Sequence, residues 1–310
     1  MTSSKRILPY LALLGGILAL SFSALFVRWA SAAGGAPGTV TSFYRMAIAS
    51  VALLPFFIRQ QVKVKFSLPW KWLPLAVLAG VFSALDHSIW STSIQYTRVA
   101  NATLLNNISP LWVAFVAALV FKEKLPGRFW FGLVLTLVGA GIVFGNDIIS
   151  NPHLSWGDAL ALIASLFYAG YFLFTQLSRR HLNTVTHVWL VCLSATLVLL
   201  IICLGFQMPL AGYPAPVYLA FLGAGLVSQT FGYSVIGYAL GSLPASVVAP
   251  TIVAQPVITS LLAIPLFGEK LYSSQLIGGL IVLGGIYLVN TSQSAKPKDP
   301  PPVLPETQPE

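Results

Sequence analysis

Long apolar runs separated by short polar gaps fill most of this chain. Ten runs, near 9–30, 40–58, 72–96, 100–121, 129–146, 156–177, 185–206, 215–240, 245–267 and 274–290, approach the roughly 20 residues that a bilayer-spanning helix needs. Membrane barrel strands, which alternate polar and apolar positions, do not fit such continuous runs. The pattern also repeats. A shift of 146 positions places Pro110 on Pro256, Phe121 on Phe267 and Glu123-Lys124-Leu125 on Glu269-Lys270-Leu271. The same shift places Gly132 on Gly278 and Gly139 on Gly285. Shared apolar composition does not align a proline, a Glu-Lys pair and two glycines. The Thr-Val-Thr runs at 39–41 and 184–186 are a fainter echo. The chain is read as a duplicated unit.

Composition agrees. Of 310 residues, 56% are hydrophobic and 8% charged, against about 25% charged in a soluble domain, and the mean hydropathy is +0.82. The net charge of +9 does not mark a nucleic-acid binder, because the basic residues lie in the gaps between apolar runs. With the N-terminus inside, the inner gaps hold Lys5, Arg6, Arg59, Lys63, Lys65, Lys71, Lys122, Lys124, Arg128, Arg179, Arg180, Lys296 and Lys298. The outer gaps hold Arg28, Arg98 and Lys270, and Arg45 lies within a span. This asymmetry predicts cytoplasmic termini. Five spans per half is an odd number, so the halves insert with opposite orientation. The expected fold is an all-α membrane protein with ten transmembrane helices in two inverted five-helix repeats. Residues 1–8 form a cytoplasmic N-terminus, 9–146 and 156–290 the repeats, and 291–310 a proline-rich disordered cytoplasmic tail.

Two smaller readings follow. Lys5 and Arg6 before an apolar run ending in Ala30-Ser31-Ala32 resemble a secretory leader. That run is longer than a leader core and has a counterpart in the second half, so it is read as a span. Cys192 and Cys203 fall in one predicted helix, about 16 Å apart along its axis, too far for a disulfide.

The fourth span carries Asn101, Asn106, Asn107 and Ser109 and then Pro110, and it runs into Phe121-Lys-Glu-Lys-Leu125. The next has Gly132 and Gly139, and the second half ends on Pro256, Phe267-Gly-Glu-Lys-Leu271, Gly278 and Gly285. In these features, from about Tyr10 to Asn290, the chain resembles the drug/metabolite transporter superfamily, EamA type. The resemblance implies a secondary active transporter that exports or exchanges a small organic metabolite, such as an amino acid, across the bacterial inner membrane. It also implies a central cavity lined by spans one, three, four, six, eight and nine. Ser21, Trp90, Tyr168, Tyr171, Gln229, Tyr233 and Gln255 are the polar or amphipathic candidates on those spans. Import of a nucleobase-like solute is the alternative within the family. A channel lacks repeated filter motifs here. An intramembrane enzyme lacks an HExxH pair, and His87 and His187 lie in different spans.

Among candidate residues, Asp86 is the acid in the middle of a span, which by default marks function. It either pairs with Arg45 or carries protons, and His87 is either a hydrogen-bonded interior residue or a proton carrier. Asn101, Asn106, Asn107 and Ser109 either line a cavity or glue helices. Pro110, Pro250 and Pro256 are expected to kink their helices, freeing carbonyls that a cavity tolerates. Glu123-Lys124 and Glu269-Lys270 read as gate contacts or as turn chemistry. The glycines read as close-packing faces. No metal or cofactor is expected. The partners are a small molecule and the bilayer, with protons an open question and no oligomeric state implied.

Overall fold

A computed structural model describes residues 3–63, 69–94, 96–97, 99–149, 155–267 and 273–293. Among the described residues every regular element is helical. In order they are α1 (Ser3–Gly34), α2 (Gly38–Lys63), a 3₁₀ turn (Trp70–Trp72), α3 (Leu73–Ser93), α4 (Val99–Asn106), α5 (Ser109–Leu119) and α6 (Gly127–Ile149). Then follow α7 (Trp156–Arg179), α8 (Thr184–Gly205), α9 (Ala215–Gly223), a wide π-helical stretch (Ala224–Tyr233), α10 (Ser234–Leu240), α11 (Ala245–Ile252), α12 (Gln255–Phe267) and α13 (Ser273–Gln293). Among the described residues eight helical segments are long and apolar enough to cross a membrane, and Gly127–Val143 and Ala245–Thr259 are shorter apolar ones. Large apolar side chains such as Val51, Phe56, Ile201 and Leu280 stand exposed around the perimeter. In water they would be a liability; in lipid they are the ordinary outer surface.

Boundaries differ from expectation at both ends. α1 begins at Ser3, inside the segment expected as a polar N-terminus, and α13 runs to Gln293, past the expected start of the tail. Polar residues can continue a helix through the interfacial zone once the apolar part is in place. Residues 294–310, with Lys296 and Lys298, lie outside the described residues, as do Lys65, Arg98 and the segment holding Glu269, Lys270 and Leu271. The side chains of Lys5, Arg6 and Asn101 also lie outside them.

Two of the runs are broken. The fourth divides into α4 and α5 at Asn107–Ile108, and the ninth into α11 and α12 at Val253–Ala254. The prolines account for both breaks. Pro110 and Pro256 lack the N–H that would reach the carbonyls of Asn106 and Ile252, and their rings clash there. Those two residues are the last of α4 and α11. Each proline then sits second in the following helix, where a missing N–H costs nothing. Pro250 differs: α11 continues through it to Ile252, so no separate interruption occurs there.

The third rod of each half packs on the first two of the other: α3 lies against α7 and α8, and α9 to α10 against α1 and α2. The most extensive helix pair is α6 with α13. A methyl added at Gly132 would stand 2.9 Å from the Gly285 carbonyl oxygen, and one at Gly278 would stand 2.7 Å from that of Gly139. Gly132 therefore meets Gly285 while Gly139 meets Gly278, so α6 and α13 run antiparallel. Only glycine allows backbones this close.

Helix ends are tied down locally. Ser155 and Asp158 form a reciprocal capping box at the start of α7, and Thr97 donates to Asp158 across 2.6 Å. Asn183 caps α8 by accepting from the Thr186 amide at 2.9 Å. At the same end of the bundle as Asn183, Trp72 stacks on His181 with ring centroids 3.5 Å apart. Partial burial, with Arg180 and Lys71 near, lowers the pKa of His181 and so favours its neutral ring. Cys192 and Cys203 are both free and buried.

Candidate functional site

Two places within the bundle gather several of the polar side chains that the spans carry. The first is the middle of the bundle, where α1, α2, α3, α4, α7, α8 and the π-helical stretch meet. Arg45, only 5% exposed, donates from Nε to Gln229 Oε1 at 2.8 Å and from Nη1 to Ser23 Oγ at 2.8 Å. Its guanidinium carbon lies 5.2 Å from the centre of the Tyr233 ring, a cation–π distance. Gln229 reaches Cys192 Sγ with its amide at 3.6 Å. Tyr171 meets Tyr233 edge to face at 5.6 Å and stacks with Tyr168 at 6.3 Å. The Arg45–Asp86 ion pair is not formed in this structure. Arg45 is held instead by neutral acceptors and an aromatic face, and it acts on Asp86 from a longer distance.

Asp86 is 4% exposed. His87 Nδ1 lies 3.4 Å from its Oδ2, but that nitrogen also lies 2.7 Å from the Ser83 carbonyl oxygen. A carbonyl can only accept, so Nδ1 carries the proton and spends it on its own helix. His87 is thus a hydrogen-bonded interior histidine in this state. The Asn106 side chain is within hydrogen-bonding reach of the Asp86 carboxyl, and Tyr168 and Tyr233 lie near enough to interact with it electrostatically. Among the described residues, Asp86 Oδ1, Trp90 Nε1 and Asn106 Oδ1 are three of the six buried polar side-chain atoms without a hydrogen-bond partner. A buried unpaired polar group costs about 1–3 kcal/mol. Two of the three lie on α3 and one ends α4.

The second place is the contact between α1 and α12. Ser21 donates to the Ile17 carbonyl at 2.8 Å, and Gln255 Nε2 donates to the Leu20 carbonyl at 3.0 Å. Thr259 donates to the Ser21 carbonyl at 2.9 Å. Ser21 and Gln255 thus tie two helices together. Ser109 is buried at the start of α5, and Asn107 is half-buried at the break itself.

At one end of the bundle a further set of contacts joins the ends of α5 and α7 to the start of α11. Ser246 donates to Glu123 Oε2 at 2.7 Å, and the Ala245 amide donates to Gln176 Oε1 at 2.6 Å. Arg179 donates to the Gly237 carbonyl at 2.8 Å and to the Leu182 carbonyl, and Arg180 lies 6.0 Å from the centre of the Phe121 ring. Under the 146-residue shift Gln176, Arg179 and Arg180 correspond to Ala30, Ala33 and Gly34. The polar latch therefore has no polar counterpart on these residues of the first half.

Sequence reasoning overlooked Ser23, Cys192, Gln176 and the π-helical stretch. Ser23 and Cys192 are small and lie in strongly apolar runs, so only their partners reveal them. The wide stretch carries Ser228, Gln229 and Tyr233, and such bulges gather at functional positions. Its counterpart in α3, residues 78–87, is ordinary α-helix.

Comparison with known proteins places this geometry. A model of the EamA-like transporter family matches residues 7–145 and again 155–291. An uncharacterized transporter of Archaeoglobus fulgidus is 28% identical over 261 residues, covering 81% of this chain and 87% of the relative. The pseudopaline exporter CntI of Pseudomonas aeruginosa is 27% identical over 187 residues, covering 60% of this chain and 63% of the relative. One solved crystal structure superposes with a TM-score of 0.77 at 17% identity, over 91% of this chain and 96% of its own, a likeness of fold.

Proposed function

Because the chain belongs to the EamA-like transporter family, we propose that it is a secondary active transporter. It exports or exchanges a small organic metabolite, such as an amino acid or related compound, across the bacterial inner membrane. Ten transmembrane helices form two inverted halves, 9–146 and 156–290, with both termini cytoplasmic, and access to a central site alternates between the two faces. Several observations support this reading. The family model matches twice, the two broken helices are related by the internal shift, and the fifth spans of the halves, α6 and α13, meet antiparallel. Inverted repeats around discontinuous helices are the common plan of secondary transporters. A relative named as an exporter supports the direction.

The observation that carries the proposal is the group of buried, unpartnered polar atoms beside the break in the fourth span. Polar atoms at this depth are costly unless a ligand or water meets them. The latch at one end, with Gln176, Glu123 and Ser246, closes one access route in this state. Asp86 can serve ligand binding or proton coupling, and it is free of the direct Arg45 pair that would hold it charged.

Purified protein in liposomes loaded with candidate metabolites tests this. Saturable uptake that is accelerated by the same compound on the far side is the expected result. Flux that rises linearly without saturation would mean a channel, and product formation without flux would mean an enzyme.

A further inference from the structure

The end of the bundle that carries the latch is also where cations of the two halves meet. Lys71 lies in the 3₁₀ turn that leads into α3, in the first half, and Arg180 and His181 lie in the turn from α7 to α8, in the second. The Trp72 ring joins them. It stacks on His181 with centroids 3.5 Å apart and planes 4° from parallel, and Lys71 Nζ lies 5.2 Å from its centre. Arg180 lies 6.0 Å from the centre of the Phe121 ring, just past α5. Lys71 and Arg180 are both exposed, and both are close enough to His181 to act on its charge. Among the described residues neither pairs with a carboxylate, and Glu123 at the same end accepts from Ser246.

Two cations brought together where the halves meet repel each other, and no described carboxylate relieves this. His181 adds a donor without adding a full charge, because a neutral imidazole still offers one N–H. What the set lacks is an anion. The surroundings indicate its source. Trp70, beside Lys71, is 73% exposed, and Pro74, Val77 and Leu78 continue an exposed apolar track along α3. An exposed Trp at the end of a span belongs at the level of the lipid head groups. A soluble anion would engage the cations and leave the track idle. A phospholipid uses both.

We propose that Lys71, Arg180 and His181 form a docking site for the head group of an anionic phospholipid, whose acyl chains follow α3 beyond Trp70. The lipid phosphate neutralises one cation from each half and so holds the start of α3 against the turn between α7 and α8. The site is separate from the central one and from whatever is transported. It requires only that the chain sits in a bilayer.

The test uses the full chain in detergent. Thermal unfolding is followed while phosphatidylglycerol, phosphatidylcholine or inorganic phosphate is titrated in. Phosphatidylglycerol should raise the midpoint to a plateau, and the other two should not. Lys71→Gln and Arg180→Gln should each weaken the apparent affinity about fivefold, the effect of one cation near an anionic lipid surface. Arg59→Gln and Arg128→Gln, which remove exposed cations at the ends of α2 and α6, should leave it unchanged. Without added lipid, Lys71→Gln should keep or raise the midpoint, because it removes a repulsion. The site is refuted if phosphatidylcholine matches phosphatidylglycerol, or if Arg59→Gln and Arg128→Gln lose as much as the other two, which would mean diffuse surface charge. A lower lipid-free midpoint in Lys71→Gln would mean a partner inside the protein and would also overturn it. Inorganic phosphate acting as well as the lipid would make this a soluble-anion site. Asp299, Glu306 and Glu310 of the tail are the competing anions. A response that appears only in Asp299→Asn, Glu306→Gln, Glu310→Gln would assign the site to the tail and against lipid. Flux enters none of these readings, so failure here leaves the transporter standing, and absence of flux leaves the lipid site standing.

Discussion

The crossing of α6 and α13 allows a prediction that can be worked from distances. A methyl at Gly139 would stand 2.6 Å from the Val282 nitrogen and 2.8 Å from the Gly278 carbonyl oxygen. Both are backbone atoms and cannot rotate away, so the helices must separate. Overpacking of this kind costs about 1–3 kcal/mol. Replacing glycine by alanine in a helix returns about 0.5–1 kcal/mol. Gly139→Ala should therefore be destabilised by up to roughly 2.5 kcal/mol. Gly141 in the same helix has nothing within 4 Å of an added methyl, and neither has Gly284 in α13. Gly141→Ala and Gly284→Ala should be neutral or more stable by up to about 1 kcal/mol. Gly278→Ala should resemble Gly139→Ala, and the double variant should cost less than the sum, because both methyls enter one contact. Equilibrium unfolding in mixed micelles measures all five proteins. Equal stability of Gly139→Ala and Gly141→Ala would refute the close crossing, and with it the antiparallel meeting that supports inverted halves.

Other outcomes follow from the polar contacts. Gln229→Leu removes an acceptor from a buried guanidinium and should cost about 1.5–3 kcal/mol, which the same unfolding assay reads; an unchanged midpoint would mean Arg45 is solvated. Gln255→Leu removes a neutral tie to the Leu20 carbonyl and should lower stability by about 0.5–1.5 kcal/mol with ligand affinity intact. Lost affinity at full stability would return Gln255 to the cavity. Single cysteines near Lys63 and Arg180 should resist an impermeant thiol reagent in intact cells while one near Lys270 reacts; labelling at Lys63 would reverse the orientation.

The membrane class, the duplication and the breaks before Pro110 and Pro256 are legible in the sequence because each rests on local composition or on a missing N–H. The site is legible only in part. Asp86 stands out since a carboxylate in an apolar run is rare, but its neighbours come from four other elements. These helices are apolar on every side, with lipid outside and protein within, so no polar face announces which residues turn inward. That is why the tie that Ser21 and Gln255 make between α1 and α12 goes unread, and why Arg45 is found with Gln229 and Ser23. The π-helical stretch escapes notice for another reason. Its extra residue per turn leaves no mark on hydropathy, yet it belongs to the run that carries Gln229 and Tyr233 to Arg45.

Alternating access at the central site is tested most directly by asking from which face the break at Asn107 can be reached. In a chain with Cys192 and Cys203 replaced by serine, Asn107→Cys is exposed to an impermeant thiol reagent on one side or the other of oriented vesicles. Gln176→Ala is then added to release the latch that holds the start of α11. The account predicts that cytoplasmic labelling speeds up while external labelling slows, since opening one route closes the other. Labelling that accelerates from both faces together would describe a pore and contradict it.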